Sequence, residues 1–315
     1  MNAKVDPMNA QVAPLNGEAL KSRIVEFARA ASTEISTHDE ELLPALVNRL
    51  PAGTTVYVAH TPKASLDDVV RVAAKTQALG FRASPHIVAR RLESERALRS
   101  ALVELKEAGV EQVLLVAGDR EQPVGKFTST LEVIDTGATV DAGIMSVGVA
   151  GHPEGHKSIG PNQLAHALKH KQEFAQRTGT KVHICTQFGF IPDAICSWAH
   201  HLLETGITLP VHVGIAGPTP LPKLIKFAMA CGVGASLGSL MKNMSAMANL
   251  ARMATGPDQM MTGLLQGCAA TGPTRIVRPH LYAFGGVVAT ATWLRAVMDG
   301  SFELQPDSDK FLMNA

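Results

Sequence analysis

A single carboxylate, Glu34, interrupts the small and apolar run of residues 31–36 near the start of the chain. This run is predicted to form a β-strand that is buried in a sheet. A carboxylate in such a strand loses its hydration, so it needs either a cationic partner or a function that requires it there. Glu34 is therefore a candidate functional residue, and a structural ion pair is the alternative.

Polar residues also lie at the ends of two later apolar runs. His86 lies where the third run ends, and Gly118 and Asp119 follow the fourth. Gly118 permits a close backbone approach, and Asp119 would then project from the end of a strand. The alternatives are a buried histidine with ordinary hydrogen bonds and a Gly-Asp turn without a function.

Two histidines and a carboxylate, His152, Glu154 and His156, follow the fifth apolar run. Zinc sites usually have a third and a fourth ligand at recognisable spacing, and no cysteine is near, so no metal site is predicted. A polar loop for a cofactor is the favoured interpretation. Lys169 and Lys171, in the helical segment that follows, could meet a phosphate group, although a solvated helix face is the alternative.

Gln187 follows the sixth apolar run and is itself followed by Phe188 and Phe190. Its side-chain amide offers both a donor and an acceptor, and the aromatic rings add flat apolar surface. This combination suits the recognition of a flat heterocycle with amide-like edges. A core glutamine that bonds to nearby backbone is the alternative.

Eight short apolar runs, several of them rich in Val and Ile, predict parallel strands that are buried on both faces. They are residues 31–36, 55–59, 81–88, 112–117, 144–150, 181–186, 209–215 and 279–283. Helical patterns are found at residues 65–79, 92–108, 163–178, 221–231, 239–254 and 258–268.

These strand–helix units predict a (β/α)8 TIM barrel, an α/β fold, with extra helices between the seventh and eighth strands. A doubly wound open sheet is the rival, but no G-x-G-x-x-G motif follows the first strand. The predicted organisation is a flexible N-terminal leader at residues 1–20 and a single barrel domain at residues 21–315.

The composition excludes several classes of protein. With 46% hydrophobic and 18% charged residues in 315, the chain can build a large core and is not mostly disordered. A net charge of +1 gives no field for nucleic acid or an anionic membrane. No uncharged apolar run reaches the ~18 residues of a membrane-spanning helix. The cysteines, widely spaced in apolar surroundings, predict reduced, buried thiols and a cytoplasmic location. They are Cys185, Cys196, Cys231 and Cys268.

Taken in order, these strand ends resemble the methylenetetrahydrofolate reductase family of barrel flavoenzymes. The resemblance covers roughly residues 32–293, and the ordered set of motifs is more specific than any one of them. The matching residues are Glu34, Pro85-His86, Gly118-Asp119, Pro153-Glu154-x-His156, Leu168-Lys169-x-Lys171, Thr186-Gln187-Phe188, Gly214-Ile215 and Pro279-His280-Leu281-Tyr282.

The resemblance implies an oxidoreductase of one-carbon metabolism. NADH or NADPH would reduce a bound FAD, and the flavin would then pass hydride to 5,10-methylene-tetrahydrofolate to give 5-methyl-tetrahydrofolate. Glu34 would be the general acid that protonates the folate nitrogen, which suits a half-buried carboxyl group. Asp119 would anchor the pterin and tune the flavin, and Gln187 would bind the pterin. The family also implies a homo-oligomer.

The resemblance also assigns contacts to further residues. Leu221 and Tyr282 would contact the substrate, together with Asp119 and Gln187. The residues that would line the FAD site are His60, His86, Ala117, Gly118, Asp119, Val149, His152, His156 and Lys171.

The chain departs from the family pattern at several positions that would contact FAD or the dinucleotide. Ala117 replaces an arginine, His152 a tyrosine, and Leu164 an aspartate; Leu221 falls near the aromatic residue of the seventh loop, and Gly285-Gly286 replaces Asn-Arg. Three alternatives stay open. The enzyme could oxidise methyl-tetrahydrofolate in methyl catabolism, could pass hydride directly from NADH without a flavin, or could be a non-redox, pterin-binding barrel for methyl transfer.

Overall fold

A computed structural model describes residues 17–231, 257–305 and 310–314 of the chain. Eight parallel strands form one closed barrel in chain order, which confirms the predicted (β/α)8 fold. The barrel strands are β1 (Ser32–Ser36), β2 (Thr55–Ala59), β3 (Arg82–Val88), β4 (Gln112–Val116), β5 (Ser146–Gly151), β6 (Lys181–Phe188), β7 (Val211–Ala216) and β8 (Ile276–Tyr282). Each lies within a few residues of its predicted run, because continuous apolar runs mark strands that are buried on both faces.

Helices surround the barrel, and several begin and end at the residues that the sequence indicated. Ser65 is the N-cap of the helix that follows β2, and its hydroxyl accepts a hydrogen bond from the backbone N–H of Asp68. Gly179 ends the helix after β5 with a left-handed φ of 73°. The helices are α1 (Gly17–Arg29), α2 (Leu43–Val47), α3 (Leu66–Ala78), α4 (Glu95–Glu107), α5 (Thr130–Asp135), α6 (Ala138–Asp141), α7 (Pro161–Thr178), α8 (Pro192–Glu204), α9 (Leu221–Cys231), α10 (Pro257–Thr271) and α11 (Val287–Met298).

Among the described residues two helices, α9 and α10, lie between β7 and β8, in agreement with the predicted insertion. The further helix predicted at residues 239–254 lies outside the described residues. Helix α1 begins within the segment predicted as a leader, and it buries Leu20, Ile24 and Ala28 on one face. A C-terminal hairpin of β9 (Phe302–Leu304) and β10 (Phe311–Met313) was also not predicted. In the described ranges no helix has both the length and the apolar character that a membrane crossing requires.

The interior of the barrel carries several polar side chains around Tyr57. The Tyr57 hydroxyl lies 2.9 Å from Nε2 of His183 and 3.4 Å from Nδ1 of His212. Strand β2 pairs with β1 and β3, so the histidines of β6 and β7 meet Tyr57 across the barrel axis. His280 packs edge-on against Tyr57, with 4.5 Å between ring centroids, and its Nδ1 lies 2.9 Å from the Ser32 hydroxyl. Barrel interiors are more often filled by Val, Ile and Leu.

One prediction about the cysteines is wrong. Cys196 on α8 and Cys268 on α10, predicted as reduced thiols, form a disulfide with Cα atoms 5.1 Å apart. The two helices pack closely because α10 carries glycines at the contact: a Cβ at Gly263 would lie 2.6 Å from Pro192. This proximity depends on the fold and has no signal in the 72-residue spacing. Cys185 is free and buried, as predicted; the side chain of Cys231 lies outside the described residues.

Candidate active site

A cavity of about 540 Å³ opens at the carboxyl ends of β1, β2, β6 and β8. This is the end of a (β/α)8 barrel where active sites lie. Its walls combine two carboxylates, an amide and a lysine with a larger apolar and aromatic surface. The lining residues are Glu34, Ile35, Ser36, Asp39, Ala59, Thr61, Gln187, Phe188, Lys223, Phe227, Tyr282, Ala283, Phe284, Gly285 and Val287.

Glu34 lines this cavity and is half-buried. Burial, followed by the nearby negative charge of Asp39, raises its pKa to about 8. In the described part of the chain no lysine, arginine or histidine pairs with Glu34, so the ion-pair alternative fails there. The carboxyl group therefore holds its proton at neutral pH and can donate it to a ligand in the cavity.

Asp39 is fixed in its position by the turn that follows β1. Its carboxylate accepts hydrogen bonds from the backbone N–H and the hydroxyl of Ser36, at 2.8 and 2.7 Å. These bonds cap the short 3₁₀ turn Thr37–Leu42. Asp39 is not among the predicted site residues, although the capping pattern of Ser36 and Asp39 could have placed it next to the end of β1.

Gln187 reaches the same cavity from the end of β6. The loop around it is held by a chain of bonds: the Thr186 hydroxyl donates to the Gln187 carbonyl and accepts from the N–H of Gly214, each at 2.8 Å. The Tyr282 hydroxyl donates to the Thr186 carbonyl, also at 2.8 Å. A Cβ at Gly214 would lie 2.5 Å from the Thr186 carbonyl oxygen, so β7 needs glycine at this contact.

Aromatic rings form one wall of the cavity. Phe284 is parallel to Tyr282, with 5.8 Å between centroids, and stacks on Phe227 of α9 at 4.5 Å. Phe188 meets Phe284 edge-on at 4.9 Å. Phe227 and Phe284 could not be identified from the sequence, because their meeting depends on how α9 packs against the end of β8.

Asp119 lies at the same end of the barrel but does not line the cavity. Its side chain is 73% exposed and its carboxylate is 3.8 Å from the guanidinium of Arg91. The structure thus brings Glu34 and Gln187 together but leaves Asp119 apart. Gly118, just before it, has a φ of +90°, and a Cβ there would lie 2.5 Å from Val88, so only glycine fits.

A second group of polar residues lies where β5 ends and α7 passes. His152 and His156 contact each other, with 5.0 Å between ring centroids. Burial, followed by the charges of His156 and Lys171, lowers the pKa of His152 to about 4. Lys171 is only 5% exposed, and burial lowers its pKa to about 8. No carboxylate among the described residues pairs with Lys171, so a bound anion would suit this position.

Glu154 links this group to the loop that carries Gln187. One carboxylate oxygen, Oε1, accepts a hydrogen bond from the N–H of Phe190 at 2.9 Å. The other, Oε2, is buried and has no hydrogen-bond partner among the described residues. The described residues contain no cluster of acidic, histidine and cysteine side chains that could hold a metal ion.

The other predicted cofactor residues have different surroundings. His86 has a buried, unpartnered Nε2 within the described chain, and burial followed by the charge of His60 lowers its pKa to about 4. His60 bonds through Nε2 to the Ala64 carbonyl at 3.1 Å. The Ala117 carbonyl accepts from the N–H of Arg90. The side chain of Val149 is fully buried in the apolar core.

Leu221, the remaining predicted substrate contact, is the first residue of α9, and its side chain lies outside the described residues. Two residues later on the same helix, Lys223 does line the cavity. A lysine on an amphipathic helix gives no distinct signal in the sequence.

Comparison with known proteins identifies a family whose sequence pattern matches this chain. The family model for methylenetetrahydrofolate reductase matches residues 36–267 of the chain. Dihydropteroate synthase from Thermus thermophilus is similar in structure with a TM-score of 0.44 and 12% identity, over 85% of this chain and 92% of that chain. Triosephosphate isomerase from Bartonella henselae is also similar in structure, with a TM-score of 0.44 and 11% identity, over 86% of this chain and 98% of that chain. Likeness at that level has no bearing on function.

Proposed function

Because the chain belongs to the methylenetetrahydrofolate reductase family, we propose that it interconverts 5,10-methylene-tetrahydrofolate and 5-methyl-tetrahydrofolate. The reaction exchanges electrons with NAD(P)H through FAD and can run in either direction. It belongs to one-carbon metabolism. The observation that carries the proposal is Glu34, a carboxyl group that keeps its proton near pH 7 inside an aromatic cavity next to Gln187.

In the reductive direction, Glu34 donates its proton to the folate nitrogen and opens the five-membered ring to an iminium. The carbon of that iminium is then ready to accept hydride. In the oxidative direction, the Glu34 carboxylate takes the proton back. General acid catalysis of this kind contributes roughly 100- to 10,000-fold to a rate.

Gln187 and the aromatic wall hold the substrate. The Gln187 amide donates to and accepts from the edge of the pterin, and its loop is kept in place by Thr186 and Tyr282. The rings of Phe188 and Tyr282 exclude water around Glu34, which keeps its proton on the carboxyl group. Asp119 acts from the rim, where an exposed carboxylate can turn from Arg91 toward a bound ligand.

The residues around β5 fit the phosphate groups of FAD. Hydrogen-bond donors are available there from Lys171, His152 and His156, and no carboxylate in the described chain competes for Lys171. Gly118 has no side chain, so its backbone allows a phosphate group to approach closely. His86 offers an unpartnered ring nitrogen. When bound, FAD would supply the hydride chemistry, while these residues bind and orient it.

A second candidate function is a reductase that passes hydride from NADH to the folate without a flavin. It is favoured by Ala117 and Leu164, which offer no charged side chain where the family pattern has arginine and aspartate. The same cavity and the same role for Glu34 would serve this reaction. We also propose that the protein acts in the cytoplasm as a homo-oligomer.

The first experiment is the absorbance spectrum of the purified protein, before and after anaerobic 5-methyl-tetrahydrofolate. Flavin bands that bleach on addition support the leading proposal. A colourless protein that oxidises NADH only with methylene-tetrahydrofolate supports the second candidate. A protein inert to NADH under both conditions contradicts both and favours a non-redox pterin-binding barrel.

The second experiment compares Glu34→Gln with Glu41→Gln, an exposed acid at the same end of the barrel. Glu34→Gln should leave NADH oxidation by the flavin nearly intact and slow transfer to the folate by roughly 100-fold or more. Glu41→Gln should change neither step. Equal damage to both steps in Glu34→Gln would contradict the role of the general acid.

A further inference from the structure

The amino end of the barrel, opposite the cavity, carries cationic side chains on three of its strands. Among the described residues, Arg82 and Lys181 are the first residues of β3 and β6, and Arg278 is the third residue of β8. Around the closed ring of eight strands, these three are separated by three, two and three places. Neighbouring strands lie about 4.8 Å apart, so the cations divide the rim into arcs of roughly 10 to 14 Å.

Arg82 and Lys181 belong to the strand face that points into the barrel, because residues two apart in a strand share a face. Lys181 is two residues before His183, whose Nε2 lies 2.9 Å from the Tyr57 hydroxyl inside the barrel. Arg82 is two residues before Ser84, which is fully buried and pairs in register with Tyr57. Both cations therefore lie on the inner side of the rim, and both are exposed to solvent there.

Arg278 lies deeper in the same mouth and is half-buried. It pairs in register with His212 of β7, and it is two residues before His280, which packs inside the barrel. Burial, followed by the charge of Arg278, lowers the pKa of His183 to about 3, so the guanidinium group is close to that ring. Its Nε atom is buried and has no hydrogen-bond partner in the described part of the chain.

The three cations have no acidic partner. Within the ranges that the structure describes, no carboxylate lies within ion-pair distance of Arg82, Lys181 or Arg278. Glu111, which precedes β4 at this end of the barrel, lies instead 3.9 Å from Lys106. Like charges around one mouth repel each other, and a half-buried guanidinium group loses hydration without compensation. A bound anion would remove both costs.

The interior next to these cations is polar and uncharged. The Gln112 amide donates to the Tyr57 hydroxyl at 3.4 Å, and His183 stacks on His212 with 4.0 Å between ring centroids. The interior of an eight-stranded barrel has room for side chains or for one small ligand. Only a small anionic group can therefore enter as far as Arg278, and any larger part of a ligand must stay outside the rim.

We propose that Arg278, Arg82 and Lys181 form a binding site for a phosphate group at the amino end of the barrel. Arg278 donates two parallel N–H bonds to the phosphate, and Arg82 and Lys181 contact its other oxygens from the rim. A tetrahedral group with several acceptor oxygens complements cations that approach from three sides. The ligand is inorganic phosphate or the phosphate group of a larger molecule. The site does not depend on the proposed function, because it lies at the opposite end of the barrel from the cavity.

The test measures the binding of radiolabelled inorganic phosphate to the purified protein by equilibrium dialysis at constant ionic strength. Arg278→Met should weaken binding by about tenfold or more, because it removes charge-assisted hydrogen bonds in a partly buried position. Arg82→Met and Lys181→Met should each weaken it by about two- to fivefold, because exposed charges contribute less. Competition with ribose 5-phosphate distinguishes the two sources: strong competition supports a phosphorylated molecule as the ligand, and weak competition supports the free ion.

Two controls separate this site from other positive charges. Arg275→Met removes an exposed cation at the same end of the barrel, whose Nε donates to the Thr208 carbonyl at 3.2 Å. Lys171→Met removes the buried cation at β5 and α7, which could also attract phosphate. Both variants should keep the phosphate binding that is lost in Arg278→Met.

A structural role for Arg278 would give a different result. Since Arg278 has no partner in the described chain, Arg278→Met should unfold without phosphate at the temperature of the wild type or above it. Unfolding at a lower temperature would overturn the inference. The variants at Arg82 and Lys181 are at exposed positions, so they remain informative if Arg278→Met does not fold.

Three further outcomes would overturn the site. Equal loss of phosphate in Arg275→Met and Arg278→Met would show a general attraction to a positive face. Loss in Lys171→Met with binding retained in Arg278→Met would place the phosphate at β5. A wild type that binds no phosphate and no ribose 5-phosphate would end the inference and leave the proposed function intact.

Discussion

Asp39 and Glu34 line the same cavity, and the negative charge of Asp39 adds to burial in raising the pKa of Glu34 to about 8. The two carboxyl groups differ in surroundings: Asp39 accepts two hydrogen bonds from Ser36, and Glu34 accepts none that involves the described residues. The negative charge of Asp39 therefore helps Glu34 to keep its proton. Such pairs divide acid and anion roles between similar residues.

Asp39→Asn tests this relationship. Glu34 must be protonated to act as an acid, so transfer to the folate should decline as the pH rises through about 8. Asparagine keeps an acceptor for Ser36 but removes the charge, so the decline should move to lower pH. Between pH 6.5 and pH 8 the wild type should lose about half of its rate. Burial is the larger cause and remains, so we expect Asp39→Asn to lose about twofold more than the wild type over the same range.

The measurement is the pH profile of the single-turnover folate step in wild type and Asp39→Asn. Glu41→Gln serves as the control for a lost exposed charge at the same end of the barrel. An unchanged profile in Asp39→Asn would mean that burial alone sets the pKa of Glu34.

Lys171→Met tests the anion site at β5 and α7. Lys171 is 5% exposed without an acidic partner in the described ranges, so its charge is available to a phosphate group. We expect the purified variant to lose most of its bound flavin, as measured by absorbance after gel filtration. Lys169→Met, an exposed position on the same helix, should retain it.

The pH dependence of cofactor binding follows from the same residue. Burial lowers the pKa of Lys171 to about 8, so its charge is lost as the pH rises above that value. Cofactor affinity should therefore decrease between pH 7 and pH 9 in the wild type. An affinity that stays constant over this range, or is retained in Lys171→Met, would place the anion elsewhere.

Sequence patterns identified the barrel and part of the site, for reasons that can be stated. Buried parallel strands are continuous apolar runs, so β1 to β8 and the polar residues at their ends could be read directly. Glu34 and Gln187 were found because each follows or interrupts such a run. Phe284 and Lys223 were not, because their meeting depends on a left-handed turn and on the docking of α9, which no local pattern encodes.

The predicted meeting of Asp119 with Glu34 and Gln187 illustrates the same limit. A strand end tells which end of the barrel a residue occupies, but not where on that rim its side chain points. Asp119 follows β4, while the cavity is built from β1, β2, β6 and β8. The disulfide between Cys196 and Cys268 was missed for a related reason, since only the packing of α8 on α10 brings the two thiols together.

The histidines inside the barrel predict sensitivity to acid. Burial is the largest cause that lowers the pKa of His183 and His280 to about 3, and it also lowers that of His212. In the unfolded chain these histidines take up protons near pH 6.5. The unfolded state therefore binds more protons below that pH, and stability falls as the pH decreases from about 6.5 toward 3.

Each such histidine should cost about 1 to 2 kcal/mol of unfolding free energy between pH 6.5 and pH 5. The measurement is urea denaturation at the two pH values. His212→Gln should reduce the difference, while His166→Gln, an exposed position on α7, should not. Equal stability of the wild type at both pH values would contradict neutral histidines in the barrel.

The disulfide between Cys196 and Cys268 predicts a stability that depends on reductant. It closes a loop of 72 residues and links α8, which follows the Gln187 loop, to α10, which precedes β8. Restricting the unfolded chain over that length stabilises the folded state by about 4 kcal/mol. Thermal unfolding should therefore occur at lower temperature with dithiothreitol, and Cys196→Ala should be insensitive to it. The control is Cys185→Ala, which removes the free, buried thiol and should still unfold at lower temperature with dithiothreitol. If the wild type unfolds at the same temperature with and without reductant, the disulfide does not contribute to stability.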